Sequence, residues 1–305
     1  MNQPEPKSVW ILGAEGMLAK ELCRTLTQNN ISVTGTGREV SVTDFSGLKA
    51  FARNRNIFFI VNCAAYTKVD DAETDEETAR NVNCLGAENA ARMASLLSVP
   101  LIHISTDYVF DGSSSSPLRE EMAANPLNVY GKTKYEGEKE VSSCCADCYI
   151  LRTSWLYGFY GNNFVYKMLS LMNKNKTVRV VNDQTGCPTS CATVSKVILK
   201  IIQKRLKNEK VSCGIYHVTD SGSATWFDFA CTIYEEGKKL SLIKNDECRI
   251  IPCSTGDFPQ KAVRPFYSVM DTKKIQEKLN VSLPYWKDSL KEFFCSPFFR
   301  KEMLF

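Results

Sequence analysis

Histidine is almost missing from this chain, with two in 305 residues. Beside thirteen cysteines, that scarcity leaves no ligand set with zinc-ribbon spacing. Cys144-Cys145-x-x-Cys148 and Cys187-x-x-x-Cys191 have no second close-spaced pair to complete them, so no metal is expected. The thiols read instead as small buried hydrophobes of a reduced, cytoplasmic protein. Long apolar runs are also missing. Val9-Trp10-Ile11-Leu12 is too short for a signal sequence or a membrane span, and the stretch Met1–Lys7 before it is polar, which excludes a membrane partner. No basic block occurs. Thirty-eight Lys and Arg are scattered among 34 Asp and Glu for a net charge of +4, which argues against nucleic acid and leaves room for a small anionic ligand. Internal repeats and low-complexity tracts are absent too, and 44% hydrophobic with 24% charged residues is an ordinary globular balance.

What is present is an alternation of short apolar runs with amphipathic stretches. Strands are expected at Ser8–Gly13, Ile31–Gly37, Phe58–Asn62, Leu101–Ser105 and Cys148–Arg152. Helices are expected at Met17–Asn29, Phe45–Asn54, Thr74–Leu97 and Asn128–Ser143, and a short third strand just before Asp44. Apolar strands separated by helices indicate an α/β fold, a Rossmann-type doubly wound parallel sheet. After Tyr157 the rhythm loosens into prolines, aromatics and irregular segments at Phe159–Phe164, Asp183–Thr189 and Cys253–Pro265, with helices at Val194–Leu206 and Trp226–Glu236 between them. Residues 1–157, with about 190–220, form the expected dinucleotide domain; residues 158–189 and 221–305 form a smaller substrate lobe.

Gly13-Ala14-Glu15-Gly16-Met17-Leu18-Ala19 follows the first strand and opens the first helix. Its glycines allow a tight turn and a close approach of pyrophosphate to the backbone, and the helix N-terminus adds N–H groups and a positive dipole end. At the end of the second strand, Arg38 would accept a 2′-phosphate, whereas Glu39 would hold ribose hydroxyls; the arginine leans the reading towards NADPH over NADH. Asp44 and Phe45 lie where a side chain meets adenine, and the small residues of Asn62-Cys63-Ala64-Ala65-Tyr66-Thr67 let the chain wrap the cofactor's middle.

Tyr130-Gly131-Lys132-Thr133-Lys134 carries the chemistry. Tyr130 and Lys134 are four apart on a predicted helix and share one face. A phenol near pKa 10 is a reluctant acid–base group at neutral pH, and an adjacent ammonium should lower it. Thr106, in Ile104-Ser105-Thr106-Asp107, lies past a strand's C-terminal end, where its hydroxyl can meet a substrate carbonyl.

With these blocks in order, the chain resembles the extended short-chain dehydrogenase/reductases, and within them the dTDP-4-dehydrorhamnose reductases. The resemblance spans nearly the whole length: Asn62–Glu73, STDYVFDG at Ser105–Gly112, YGKTKYEGE at Tyr130–Glu138, RTSWLYG at Arg152–Gly158, Asn163-Phe164-Val165, DQTGCPT at Asp183–Thr189, Tyr216-His217 and Arg264-Pro265. It implies reduction of the C4 ketone of a nucleotide-diphosphate 4-keto sugar, with Tyr130 giving the proton, Lys134 binding the nicotinamide ribose and Thr106 steering the carbonyl. Ser105 joins the glycine turn in holding the cofactor; Asp107, Trp155, Asn163 and Thr189 would face the substrate, with Arg264 on its diphosphate. Trp155 has an ordinary core reading beside that one, and Arg264 a reading as a partner of a surface carboxylate. Some family members are dimers bridged by magnesium through glutamates. Glu21 matches one such position but Ser190-Cys191 replaces another, so Glu21 reads as a solvated helical charge, no metal is implied and a homodimer stays open.

Two other readings stand beside this one. An epimerase or dehydratase of the same superfamily is the first, although dehydratases carry Asp-Glu after the threonine where this chain has Asp107-Tyr108. The second is a non-catalytic NADP-binding subunit resembling the methionine adenosyltransferase β subunit, which shares the STDYVFDG and YGKTK blocks but not RTSWLYG or DQTGCPT.

Overall fold

A computed structural model describes residues 7–209 and 211–301. The polar N-terminal stretch, Lys7 apart, lies outside the described residues. β1 (Ser8–Leu12), β2 (Ser32–Thr36), β3 (Ile57–Asn62), β4 (Leu101–Thr106), β5 (Cys148–Thr153) and β7 (Gly214–His217) form one parallel sheet in the order β7-β5-β4-β3-β1-β2. Alternate residues of β1 feed two cores. Val9 and Ile11 face a core with α1 (Met17–Gln28) and α6 (Cys191–Leu206), whereas Trp10 and Leu12 face one with α3 (Gly86–Leu97) and α4 (Val129–Cys144). A strand covered on both faces has no polar side, which is why β1 reads as an unbroken apolar run. The direction of growth reverses at β1, so a crevice opens between the carboxyl ends of β1 and β3.

Three local expectations change. No strand precedes Asp44. Ser41 Oγ accepts from the Thr43 N–H at 3.2 Å and meets its hydroxyl at 2.8 Å, while the Asp44 N–H bonds Ser41 O at 3.0 Å, so this β-branched stretch closes into a turn. Asp44 then caps α2 (Phe45–Ala52) through the Gly47 N–H at 3.0 Å. The expected helix at Thr74–Leu97 begins at Glu76 and passes through a π-helical turn at Asn81–Leu85 before α3. That turn aims buried Asn83 inward, where it bonds both backbone groups of Tyr66 and the Thr133 hydroxyl. Finally, β7 adds a sixth strand beside β5.

A separate aromatic-rich core gathers α5 (Phe164–Lys174), α7 (Trp226–Lys239) and α9 (Trp286–Cys295) around Phe229 and Phe293. Beside it, β6 (Thr177–Val181) pairs in parallel with β8 (Arg249–Cys253). In contrast, α8 (Lys273–Leu279) returns to the sheet, placing Ile275 and Leu279 in the core of α1 and α6. The cysteines are free thiols distributed among these cores and the surface, and among the described residues no three His, Cys, Asp or Glu side chains gather as metal ligands.

Candidate active site

The turn after β1 opens the site. Gly13 sits at φ +73°, a conformation that favours glycine, and a Cβ there would lie 2.6 Å from Ala64 Cα. β1 and the chain leaving β3 therefore pass almost in contact. Gly16 caps α1 with no side-chain bond, and no acidic residue occupies the first turn, so the N–H groups of that helix end face the crevice without a competing anion. Both observations fit a dinucleotide pyrophosphate. Gly13→Ala is expected to cost about 1–3 kcal/mol in backbone strain, so NADPH titrated against the variant should bind about tenfold more weakly.

A cleft of about 450 Å³ continues from this turn past the ends of β3, β4 and β5. Gly16, Met17, Leu18 and Ala65 line one side; Ser105, Thr106, Asp107, Tyr130, Lys134 and Trp155 line the other. Helix α4, which carries Tyr130 and Lys134, is fixed at its start. Asn128 accepts from the Gly131 N–H at 2.8 Å and donates to Val263 O at 2.7 Å, and Val129 N–H bonds Glu73 at 2.8 Å. A Cβ at Gly131 would come 2.1 Å from Tyr108 O, so glycine alone lets the helix close on the loop after β4. That contact stacks Tyr130 edge-on against Tyr108, with ring centroids 5.5 Å apart.

Tyr130 and Thr106 border the cleft together, and Thr106 donates to Asp107 Oδ1 at 3.0 Å. The tyrosine departs from the expected tuning. Burial pushes the phenol up to about 12, the neighbouring Thr106 hydroxyl opposes this and the Asp107 charge adds to it. Lys134 is turned towards β4, where its Nζ donates to Ile104 O at 2.6 Å. Burial brings this amine down to about 8, against the pull of Glu138. Burial thus works against both charged states, and it leaves Tyr130 a protonated phenol suited to giving a proton away. Asp107 is likewise pushed up by burial, to about 6.

Other expected site residues are engaged elsewhere. Ser105 borders the cleft, but its hydroxyl donates at 2.5 Å to Glu138. Asp44 is the α2 cap, and Phe45 lies under the Arg92 guanidinium. Arg38 is exposed beyond β2, and the neighbouring Glu39 carboxylate accepts from Gly37 N–H at 2.6 Å. Tyr66 is held by its backbone to Asn83. Asn163 caps α5, accepting from Val165 and Tyr166 N–H groups and donating to Gly158 O, while buried Thr189 donates to Cys187 O. Glu21, expected as a solvated charge, is fully buried and ion-paired with Arg24, because its face of α1 turns inward. Arg264 lines a second cavity of about 500 Å³ with Phe164, Lys167, Arg179 and Trp226, and grips Asp70 at 2.8 and 3.3 Å. The reading of Arg264 as a carboxylate partner thus describes this structure.

Trp155 links the two cavities. It lines the first and stacks on Trp226 of the second at 3.5 Å and 7°. At φ +45° it is strained for a bulky residue, a conformation associated with functional sites. Ile104, Tyr108, Thr153 and Ser154 also line the first cleft without having been expected; most fall inside the blocks that carry the family resemblance.

The profile of the family described as RmlD substrate binding domain matches residues 7–296. A dTDP-4-dehydrorhamnose reductase of Aggregatibacter actinomycetemcomitans is 37% identical over 92% of this chain and 96% of its own. Among solved structures, a dTDP-4-dehydrorhamnose reductase from Clostridium acetobutylicum superposes with TM-score 0.86 at 36% identity, covering 94% of this chain and 98% of that one. One from Bacillus anthracis, in complex with NADP, has TM-score 0.86 at 35% identity, covering 95% and 99%.

Proposed function

The chain belongs to the RmlD substrate binding domain family, and we propose that it is the NADPH-dependent reductase that turns the C4 ketone of dTDP-4-dehydro-L-rhamnose into the alcohol of dTDP-L-rhamnose, a precursor of cell-surface polysaccharide. One observation carries this reading: Tyr130, Thr106 and Lys134 meet in one cleft at the sheet's carboxyl edge, directly beyond the Gly13 turn.

NADPH supplies the hydride when bound. Gly13, Gly16 and the N-terminus of α1 hold its pyrophosphate, Ala64 and Ala65 leave room for its middle, and Arg38 meets the 2′-phosphate at the open end of β2. Thr106 orients the substrate carbonyl, and Tyr130 gives its phenolic proton to the oxygen that becomes the C4 hydroxyl. Lys134 holds the nicotinamide ribose. The deoxysugar lies against Asp107 and Trp155, and its nucleotide diphosphate extends into the second cavity, where aromatic Phe164 and Trp226 stand beside cationic Lys167 and Arg179. Arg264 must exchange Asp70 for a diphosphate oxygen there. Loss of a hydrogen bond to a charged group costs about 1.5–3 kcal/mol. Arg264→Leu should therefore raise KM for the nucleotide sugar about tenfold or more without moving the KM for NADPH.

The aromatic-rich core is read as a substrate lobe and the two cores flanking the sheet as a dinucleotide lobe, with α8 assigned to the latter. No helix among the described residues is long and apolar enough to cross a membrane; the free thiols suit a reducing compartment, and we assign the work to the cytoplasm.

The decisive assay follows NADPH consumption against dTDP-, UDP- and GDP-linked 4-keto sugars. Stoichiometric oxidation with the dTDP-linked ketone is expected. An enzyme that interconverts sugars without consuming NADPH would be an epimerase or dehydratase, and turnover with none of them would remove the reading.

A further inference from the structure

His103 on β4 is completely buried and stands between Asn62, at the end of β3, and Lys134 on α4. Its proton can be located by following donors and acceptors from a group that cannot reverse. The Ala64 backbone N–H donates to Asn62 Oδ1 at 3.1 Å, which fixes the amide with its oxygen on that side. Asn62 Nδ2 therefore donates to His103 Nδ1, 3.2 Å away. A neutral imidazole that accepts at Nδ1 carries its hydrogen on Nε2. That N–H points at Lys134 Nζ, 3.3 Å away. An ammonium has no lone pair to receive it, whereas an amine accepts from His103 while donating to Ile104 O at 2.6 Å.

We propose that Asn62 and His103 are a positioning pair that holds the ring proton on Nε2 against Lys134, so that in mildly alkaline solution the cofactor-free protein keeps Lys134 as an amine and takes up a proton there when the dinucleotide binds. The second half of this proposal rests on the assignment of Lys134 to the nicotinamide ribose, whose hydroxyls add the acceptors an ammonium needs.

The surroundings agree. Facing Lys134 are Tyr130 and Glu138 from its own helix, Cys63 from the end of β3 and His103 from β4. Glu138 is occupied by Arg152 of β5 at 2.6 and 2.9 Å and by Ser105. Burial drives the Cys63 thiol up to about 12, so it brings no anion at neutral pH. Burial drives His103 well below its usual range, keeping the ring neutral. For Lys134 the sign is that of a depressed base: the amine prevails above about 8, and the ammonium is recovered as pH falls through that value.

Two measurements test this, and neither needs sugar turnover. The chain has only two histidines, and the other, His217, faces Leu118 O through Nδ1 at 3.1 Å, so it must carry its proton on Nδ1. Nitrogen NMR of histidine-labelled protein should therefore show one ring of each tautomer, assigned with His217→Gln or, if that variant does not fold, with His103→Gln. Two Nδ1–H rings would overturn the proposal. Second, calorimetry of NADPH binding in buffers of different ionisation heat, just above pH 8, should show net proton uptake. In Asn62→Asp, whose second oxygen accepts from His103 Nδ1, the ring should switch tautomer and the uptake should largely vanish. Absence of uptake in the unmodified protein, or equal uptake in Asn62→Asp with the ring switched, also sinks it. If the protein binds NADPH with these signatures but reduces no 4-keto sugar, the functional reading fails while the Asn62–His103 pair stands.

Discussion

Tyr130→Phe should lower turnover by about 10²–10⁴-fold, the range associated with loss of a general acid, while NADPH still binds. The phenylalanine ring keeps its edge-on contact with Tyr108, and neither Gly13 nor the N-terminus of α1 is touched, so the variant separates proton delivery from cofactor capture. Thr106 would keep Asp107 and the Tyr108 N–H. Single-turnover kinetics with NADPH already bound would place the loss in the chemical step. Wild-type-like turnover in this variant would take the phenol out of the reaction.

The largest expected effect on stability lies behind the site. Glu138 and Arg152 are each 2% exposed and joined by two hydrogen bonds, with Ser105 as a third member. The group ties α4, β4 and β5 together directly beneath Thr106 and Lys134. Glu138→Leu leaves a guanidinium buried without its counter-charge and should destabilise the protein by about 3–5 kcal/mol, read from chemical denaturation. Adding Arg152→Met should recover most of that, because replacing both partners of a buried pair with apolar groups is often nearly neutral. A single variant as stable as the parent would show that Arg152 finds another partner.

The first half of the fold was legible because a strand buried on both faces tends towards a continuous apolar run, as in Val9–Leu12 of β1, Ile57–Val61 of β3 and Tyr149–Leu151 of β5. The misread strand before Asp44 failed for a local reason: Val42 and Thr43 have strand propensity, but the Ser41 hydroxyl offers their backbone a competing turn. β7 is only four residues long and follows an irregular stretch, too short for alternation to register. In the site, Tyr130, Lys134 and Thr106 were legible from spacing and position. Asn163 and Asp44 cap helices and Thr189 donates to a backbone carbonyl, roles that call for the same short polar side chains as a ligand contact, and only the folded backbone shows those partners. His103 was invisible as a site residue, since its role depends on Asn62 and Lys134, 41 and 31 positions away.

The face-to-face indoles of Trp155 and Trp226 have a spectroscopic consequence. Two nearly parallel chromophores at van der Waals separation couple their transition dipoles, so they should contribute a paired band to the near-ultraviolet circular dichroism. One ring borders the cleft assigned to nicotinamide and sugar, the other the cavity assigned to the nucleotide. Any ligand that tilts either plane alters the coupling, which gives the protein a built-in optical gauge of which compartment is filled.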